Sequence, residues 1–131
     1  MEGLNINKLG PLPVDGLALA PGVDRVFYTP IHGVRLYSVS AALLRDFSVT
    51  DTAIAATVQD HGAKTSQCDG LTVSEQGRLY MTMLRSNSVQ SLDTVQLASG
   101  SLDAADSDTN AKDARLFWCV MCLSLRTLPS V

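Results

Sequence analysis

The sequence is poor in positive charge and in long apolar runs. Ten Lys and Arg residues stand against thirteen Asp and Glu, which gives a net charge of −3. A face that binds nucleic acid or anionic lipid needs an excess of positive charge, so the composition argues against both. The longest apolar run, 116–125, contains Ser124 and is far shorter than the ~20 residues that cross a bilayer. We therefore expect no nucleic-acid partner and no membrane partner.

Cysteine is also scarce, and a leader sequence is not evident. Cys68, Cys119 and Cys122 are too few for a disulfide framework, and an odd number leaves at least one thiol free. This is a weak indication of a reducing compartment. Residues 1–7 lack the positive flank and the apolar run of a signal peptide, so the sequence as written predicts a soluble chain without an export signal.

What the sequence has instead is an internal repeat. The segment 13–19 (PVDGLAL) recurs as 67–73 (QCDGLTV), with Asp15 and Asp69 54 positions apart. Arg25 and the four residues after it recur from Arg78 at a spacing of 53. Repeats of about 40–50 residues built from short strands are typical of propeller blades.

The hydrophobic pattern inside each repeat is that of strands. Leu17 and Leu19 alternate with alanines, and Leu71 and Val73 alternate with Thr72 and Ser74. A period of two, interrupted by Gly and Pro at turns, indicates strands and not helices. We predict an all-β fold: a partial β-propeller of about two four-stranded antiparallel meander blades with a short helical insert.

The insert and the blade boundaries follow from the same pattern. Ser38 or Ser40 is a candidate cap for a helical turn at 41–45, and Thr50 for another at 51–56. The predicted divisions are a lead-in at 1–12, a first blade with the insert at 13–66, a second blade with an acidic loop at 67–112, and the start of a third blade or a divergent tail at 113–131.

The acidic loop is the most polar part of the chain. The stretch from Ser91 to Asp113 contains five aspartates and a single lysine, Lys112. We interpret the stretch as a solvated loop between blades. A calcium site is the alternative, but the spacing matches no compact calcium-binding loop.

Seven short motifs occur in a fixed order along the two repeats. They are Gly16–Pro21, Arg25–Pro30, Arg35–Val39, Leu43–Asp46, Val58–Lys64, Asp69–Leu71 and Gln76–Tyr80. This series resembles the major royal jelly protein/Yellow family over about residues 10–93, and weakly again at 113–118. The resemblance implies a six-bladed propeller, distantly similar to gluconolactonase and senescence-marker lactonases, in a chain several times longer and often secreted. It breaks after Trp118, where the family usually has Pro-Asp.

Asp15 and Asp69 are the candidate ligand-binding and metal-binding residues. Each precedes a glycine that opens the first strand of its blade. The resemblance to the lactonases implies that such residues face a central channel and hold a divalent cation such as calcium, because converging carboxylates need one to offset their repulsion. Alternatively, each carboxylate accepts backbone hydrogen bonds in the turn before its strand. Two carboxylates alone would not complete a site.

The other chemically interesting residues have simpler interpretations. Cys119 and Cys122 form a CxxC motif without the second pair or the histidines that zinc needs, so we expect them to be buried apolar residues. His32 and His61 each adjoin a glycine and are predicted to be solvated loop residues, with no Gly-x-Ser-x-Gly elbow beside them. We expect the aromatic residues at strand positions to be core. These are Phe27, Tyr28, Tyr37, Tyr80 and Trp118.

Three functions remain open on the sequence. The first is a non-catalytic propeller segment whose parent binds an unknown small molecule or a partner. The second is a lactonase-like, metal-dependent hydrolase using Asp15 and Asp69. The third is a truncated, inactive product. Two blades leave their terminal edge strands unpaired, so we also expect self-association through open blade edges.

Overall fold

The computed structural model describes residues 14–30, 32–100 and 107–116. These residues form eight strands, three short α-helices and one 3₁₀ helix. The strands are β1 (Val14–Ala20), β2 (Arg25–Pro30), β3 (Arg35–Ser40), β4 (Gln59–Ala63), β5 (Cys68–Val73), β6 (Arg78–Met83), β7 (Ser88–Asp93) and β8 (Asp108–Lys112). The helices are the 3₁₀ helix Pro21–Val23, α1 (Ala41–Arg45), α2 (Asp51–Ala55) and α3 (Thr94–Ser99).

The strands form two separate antiparallel meanders. One sheet has the order β1-β2-β3-β4 and the other β5-β6-β7-β8. The predicted all-β class and the two four-stranded blades are confirmed. Among the described helices, none has the length and apolar character needed to pass through a bilayer.

The repeat seen in the sequence is also a repeat of strand register. Phe27 pairs with Ser38 in the first sheet, and Tyr80 pairs with Ser91 in the second, 53 positions later in each case. The same holds for an arginine: Arg25 Nε donates to Ser38 Oγ at 3.0 Å, and Arg78 Nε donates to Ser91 Oγ at 3.2 Å. Both sheets are therefore copies of one unit.

The turns and caps show why the chain folds into this unit. Gly77 has a φ of 77° in the β5–β6 turn, whereas at the equivalent turn of the first sheet Asp24 takes the left-handed conformation with a φ of 52°. Ser40 accepts a hydrogen bond from the Leu43 amide at the start of α1, and Thr50 accepts one from the Ala53 amide at the start of α2. The predicted helical insert is confirmed, with Ser40 as the first cap.

The core lies between the two sheets. Strand β1 runs against β5, so that each sheet contributes one face to a single apolar cluster. The first sheet supplies Ala18, Ala20, Phe27 and Leu36, and the second sheet with α3 supplies Cys68, Leu71, Leu79, Met81, Met83, Leu92 and Leu97. Small side chains on β1 allow the close approach of the larger ones on β5 and β6.

The interpretation of 91–113 as a solvated loop is wrong for much of its length. Asp93 ends β7 and caps α3, its carboxylate accepting from the amides of Val95 and Gln96. Residues 108–112 then form β8, an exposed edge strand paired with β7. Asp103 and Asp106 lie outside the described residues, as does the tail from Phe117 onward.

Candidate functional site

The sheet packing brings Asp15 and Asp69 together. Asp15 is the second residue of β1, and Asp69 is the second residue of β5. Because β1 and β5 are neighbours, the two carboxyl groups lie within hydrogen-bonding contact of each other. The pair therefore joins equivalent positions of the two repeats.

The electrostatics of the pair favour a bound proton or cation. Asp69 is half-buried and Asp15 is exposed. Partial burial raises the pKa of the Asp69 carboxyl, and the hydrogen bond from protonated Asp69 to Asp15 and the negative charge of Asp15 raise it further. The alternative role, in which each carboxylate only accepts backbone hydrogen bonds, does not account for this direct contact.

The described residues supply only these two carboxylates. No group of three or more His, Cys, Asp or Glu side chains comes together within 14–30, 32–100 and 107–116. Calcium takes six to eight oxygen ligands. The pair would thus provide part of a coordination shell and leave the rest to other ligands.

A buried lysine that the sequence did not single out lies at the junction of the sheets. Lys64 Nζ donates to Thr29 Oγ1 at 2.6 Å and to the Arg35 carbonyl at 2.9 Å. Only 5% of the residue is exposed. Burial lowers the pKa of the Lys64 amine to about 8. In the sequence, the one feature that marks Lys64 is its position at the end of the Val58–Lys64 motif.

The nearby Cys68 thiol is not an activated nucleophile. Cys68 is fully buried, and its Sγ donates to the Gly70 carbonyl at 3.1 Å. Burial raises the pKa of the Cys68 thiol to about 11, which keeps it protonated. It is therefore a core residue.

The prediction that His61 is a solvated loop residue is wrong. His61 lies in β4, is 1% exposed, and its Nε2 is 2.7 Å from Ser38 Oγ. Its Nδ1 is 3.4 Å from the Gly100 carbonyl, which can only accept, so we assign the proton to Nδ1. Nε2 then accepts from the Ser38 hydroxyl, which in turn accepts from Arg25.

This serine–histidine contact is structural. Desolvation by burial lowers the pKa of the His61 imidazole, and Ser38 is fully buried beneath Arg25. A shallow cleft of about 280 Å³ reaches His61 between β4 and the end of α3, but it is lined otherwise by Gln59, Asp60, Ala98, Ser99 and Gly100. The dyad ties the first sheet to the segment after α3.

The remaining predictions divide between core and surface. His32 is exposed in its turn, as predicted, and Phe27 is fully buried. Tyr28 and Tyr37 stack on each other with ring centroids 5.5 Å apart, on the face of the first sheet that points away from the core. Tyr80 is half-buried. Cys119, Cys122 and Trp118 lie outside the described residues.

Comparison with known proteins agrees with this architecture. A family model described as major royal jelly protein matches residues 8–114. The chain belongs to the major royal jelly protein family. Comparison with curated proteins finds no significant match. Among solved structures, this royal jelly family chain is similar to a luciferin-regenerating enzyme, with a TM-score of 0.51 and 11% identity.

The structural match identifies the fold of this royal jelly family chain. It also shows how much of the matched structure the chain spans. It covers 76% of this chain and 30% of the luciferin-regenerating enzyme, which has a propeller fold. The chain thus spans about 30% of the length of that neighbour. At 11% identity the likeness concerns the fold alone.

Proposed function

We propose that this chain is a non-catalytic, ligand-binding segment of a six-bladed royal jelly/Yellow-type propeller. The Asp15–Asp69 pair is its binding element, for a divalent cation such as calcium or for a small polar molecule that donates hydrogen bonds. The observation that carries the proposal is the contact between these two carboxyl groups across the blade boundary. Two negative groups held together bind whatever offsets their repulsion.

The length of the chain supports the proposal that it is a segment of a six-bladed propeller. Two sheets account for 30% of the propeller that matches them. Roughly three such units complete a ring, and each blade boundary in it is a contact of the β1–β5 type.

The burial of the nucleophiles supports a non-catalytic role. Ser38 and Cys68 are fully buried in the described part of the chain, and the Cys68 thiol is held in its protonated form. Acyl transfer needs a nucleophile that the substrate can reach. Neither residue meets this condition.

A lactonase-like, metal-dependent hydrolase is the second candidate. It is supported by the same carboxylate pair and by the fold of the luciferin-regenerating enzyme. In this version a cation held by Asp15 and Asp69 polarises a lactone carbonyl or lowers the pKa of a bound water. It needs further cation ligands from outside the described residues.

Calorimetry with calcium chloride tests the binding proposal. The wild-type chain should release or absorb heat with a single class of sites, and Asp15→Asn and Asp69→Asn should each abolish it. Glu75→Gln, an exposed carboxylate in the β5–β6 turn, is the matched control and should bind as wild type does. Absence of calcium binding by the wild type would remove the cation version. A lactone-hydrolysis assay on the same samples separates the two candidates, because only the hydrolase predicts calcium-dependent turnover lost with Asp69→Asn.

A further inference from the structure

Residues 64–67 carry the chain from β4, the last strand of the first sheet, to β5, the first strand of the second. We call them the crossing segment. Thr65 Oγ1 donates to the side-chain carbonyl of Gln90 at 3.2 Å, and the Leu84 amide donates to the Gln67 carbonyl at 3.0 Å. These two hydrogen bonds fasten the crossing segment to the second sheet.

Lys64 fastens the same segment to the first sheet. Its ammonium donates to Thr29 Oγ1 on β2, to the Arg35 carbonyl on β3, and at 3.4 Å to the Gly33 carbonyl in the turn between those strands. An ammonium has three N–H donors and no acceptor, so these three oxygens satisfy it completely. The two ends of the crossing segment are thus held by different sheets, and the buried amine holds the first end.

The repeat shows that a four-stranded sheet of this kind forms without the lysine. Lys64 follows β4 directly, and Asp113 follows β8 directly. Their amides make equivalent hydrogen bonds, to the Val34 carbonyl at 2.6 Å and to the Asn87 carbonyl at 3.1 Å, with the two acceptors 53 positions apart. The Asp113 side chain, however, pairs with Arg115 at the surface. The backbone arrangement is therefore the same with a buried amine and without one.

Lys64 acts on the surroundings of both aspartates. Thr29, which accepts its hydrogen bond, pairs with Gly16 in the β1–β2 ladder, and the Thr29 methyl carbon lies 3.1 Å from where a Cβ on Gly16 would be. Gly16 directly follows Asp15. On the other side, the crossing segment leads within two residues to Asp69, the second residue of β5. Both members of the pair are therefore linked to Lys64 through residues that it holds.

We propose that Lys64 is a positioning residue for the Asp15–Asp69 pair, holding the crossing segment so that the two carboxyl groups stay in contact. This role rests on the proposed function, in which the pair binds a divalent cation. An ammonium has no acceptor, so Lys64 is not itself a cation ligand. Burying an amine costs free energy, and the lowered pKa of Lys64, about 8, reflects that cost. Since the second sheet forms without this cost, the amine serves the contact between the sheets.

Calorimetry with calcium chloride on the full chain tests this role. Lys64→Met keeps the length of the side chain and removes all three donors. If Lys64 positions the pair, the calcium affinity should fall by about 10–100-fold, the usual loss when a residue that orients metal ligands is removed. If the lysine acted only through its charge, the affinity should rise, because removing a positive charge favours a bound cation. Lys112→Met, at an exposed lysine on β8, is the matched control and should bind as wild type does.

A second measurement keeps the positioning role separate from the cation proposal. In the folded Lys64→Met variant, nuclear Overhauser cross-peaks from the Leu71 methyl groups to the Gly16 α-protons should weaken relative to the cross-strand signals within each sheet. A loss of global stability alone leaves these ratios unchanged in the folded population. Thr29→Val removes one acceptor of the Lys64 ammonium, and it takes the place of Lys64→Met in both measurements if that variant does not fold.

Two results would overturn the positioning role. Unchanged cross-peaks in Lys64→Met would show that the sheets keep their contact without the amine, whether or not calcium binds. A calcium affinity that rises or stays the same, in a chain whose wild type binds calcium, would show that Lys64 does not position the pair for a cation. A wild type that binds no calcium, together with weakened cross-peaks in Lys64→Met, would remove the cation proposal and support the positioning of the two carboxyl groups by Lys64.

Discussion

The backbone of Gly16 packs directly against the side chain of Leu71. A Cβ at position 16 would lie 2.9 Å from Leu71 Cγ and 3.1 Å from Thr29 Cγ2. Contacts this short force a neighbour to move. The glycine that follows Asp15 thus sets the distance between β1 and β5, and with it the distance between the two aspartates.

Enlarging this glycine should separate the sheets. We expect Gly16→Val to lower the free energy of unfolding by about 1–3 kcal/mol, the usual cost of forcing extra methyl groups into a packed core. Gly22→Ala is the control, because a Cβ there meets nothing within 4 Å. Urea unfolding followed by circular dichroism measures both. A Gly16→Val variant as stable as Gly22→Ala would contradict the close contact.

Neutralising one aspartate should stabilise the chain at neutral pH. The folded-state pKa of Asp69 is raised above its ordinary value of 3.8, so the folded state holds more protons just above that pH. The contribution of Asp69 to stability is therefore highest at low pH and falls as the pH rises through the raised pKa. Asp69→Asn should remove this pH dependence. It should also raise the free energy of unfolding by about 0.2–1 kcal/mol at pH 7, the usual cost of two like charges facing each other.

The partner residue provides the internal check for that prediction. Asp15→Asn should give the same gain, and the double variant should add little to either single one, because each removes the same repulsion. Glu75→Gln should leave the pH profile of thermal unfolding unchanged. Two additive gains would show that the carboxyl groups do not interact.

Lys64 should give the opposite pH dependence at alkaline pH. Its folded pKa of about 8 lies below the ordinary 10.5, so the unfolded state binds more protons in that interval and stability rises with pH. The gain, up to about 3 kcal/mol, should be absent in Lys64→Met. The measured quantity is the difference in the free energy of unfolding between wild type and Lys64→Met. This difference is needed because the raised pKa of Cys68 lowers the stability of both proteins as the pH rises through the same range. The exposed Lys112→Met should follow wild type.

The two histidines form a matched pair for acid unfolding. Burial lowers the folded pKa of His61 below 6.5, so stability is lost as the pH falls below 6.5. His61→Gln should lose this component and cost about 1–3 kcal/mol at pH 7, because Ser38 and Gly100 lose a buried partner. His32→Gln should change neither quantity, since His32 is exposed. Equal profiles for both variants would refute the buried dyad.

The strands, turns and helix caps could be predicted because they follow from local patterns. Alternation at Leu17 and Leu19 and the cap at Thr50 depend on neighbouring residues only. The internal repeat added one long-range prediction, that Asp15 and Asp69 occupy equivalent positions in the two sheets. No local pattern showed that the equivalent positions touch, which depends on how the glycine at position 16 admits Leu71.

His61 and Lys64 were missed for a related reason. Both are polar residues beside glycine or alanine, which in isolation is typical of a surface loop. Their burial comes from partners far along the chain, Ser38 and Gly100 for His61, and Thr29 for Lys64. The helix α3 escaped notice because its apolar face is only Leu97, with Asp93 as its cap among other aspartates.

The two repeats are neighbouring blades that contact each other directly through β1 and β5. A nuclear Overhauser measurement on the full chain, with labelled leucine methyl groups, tests this contact. If β1 packs against β5, the Leu71 methyl groups should give cross-peaks to the Gly16 α-protons and to the Thr29 methyl group. Intact cross-strand signals within each sheet without these cross-peaks would show two sheets that do not pack together, and would contradict it.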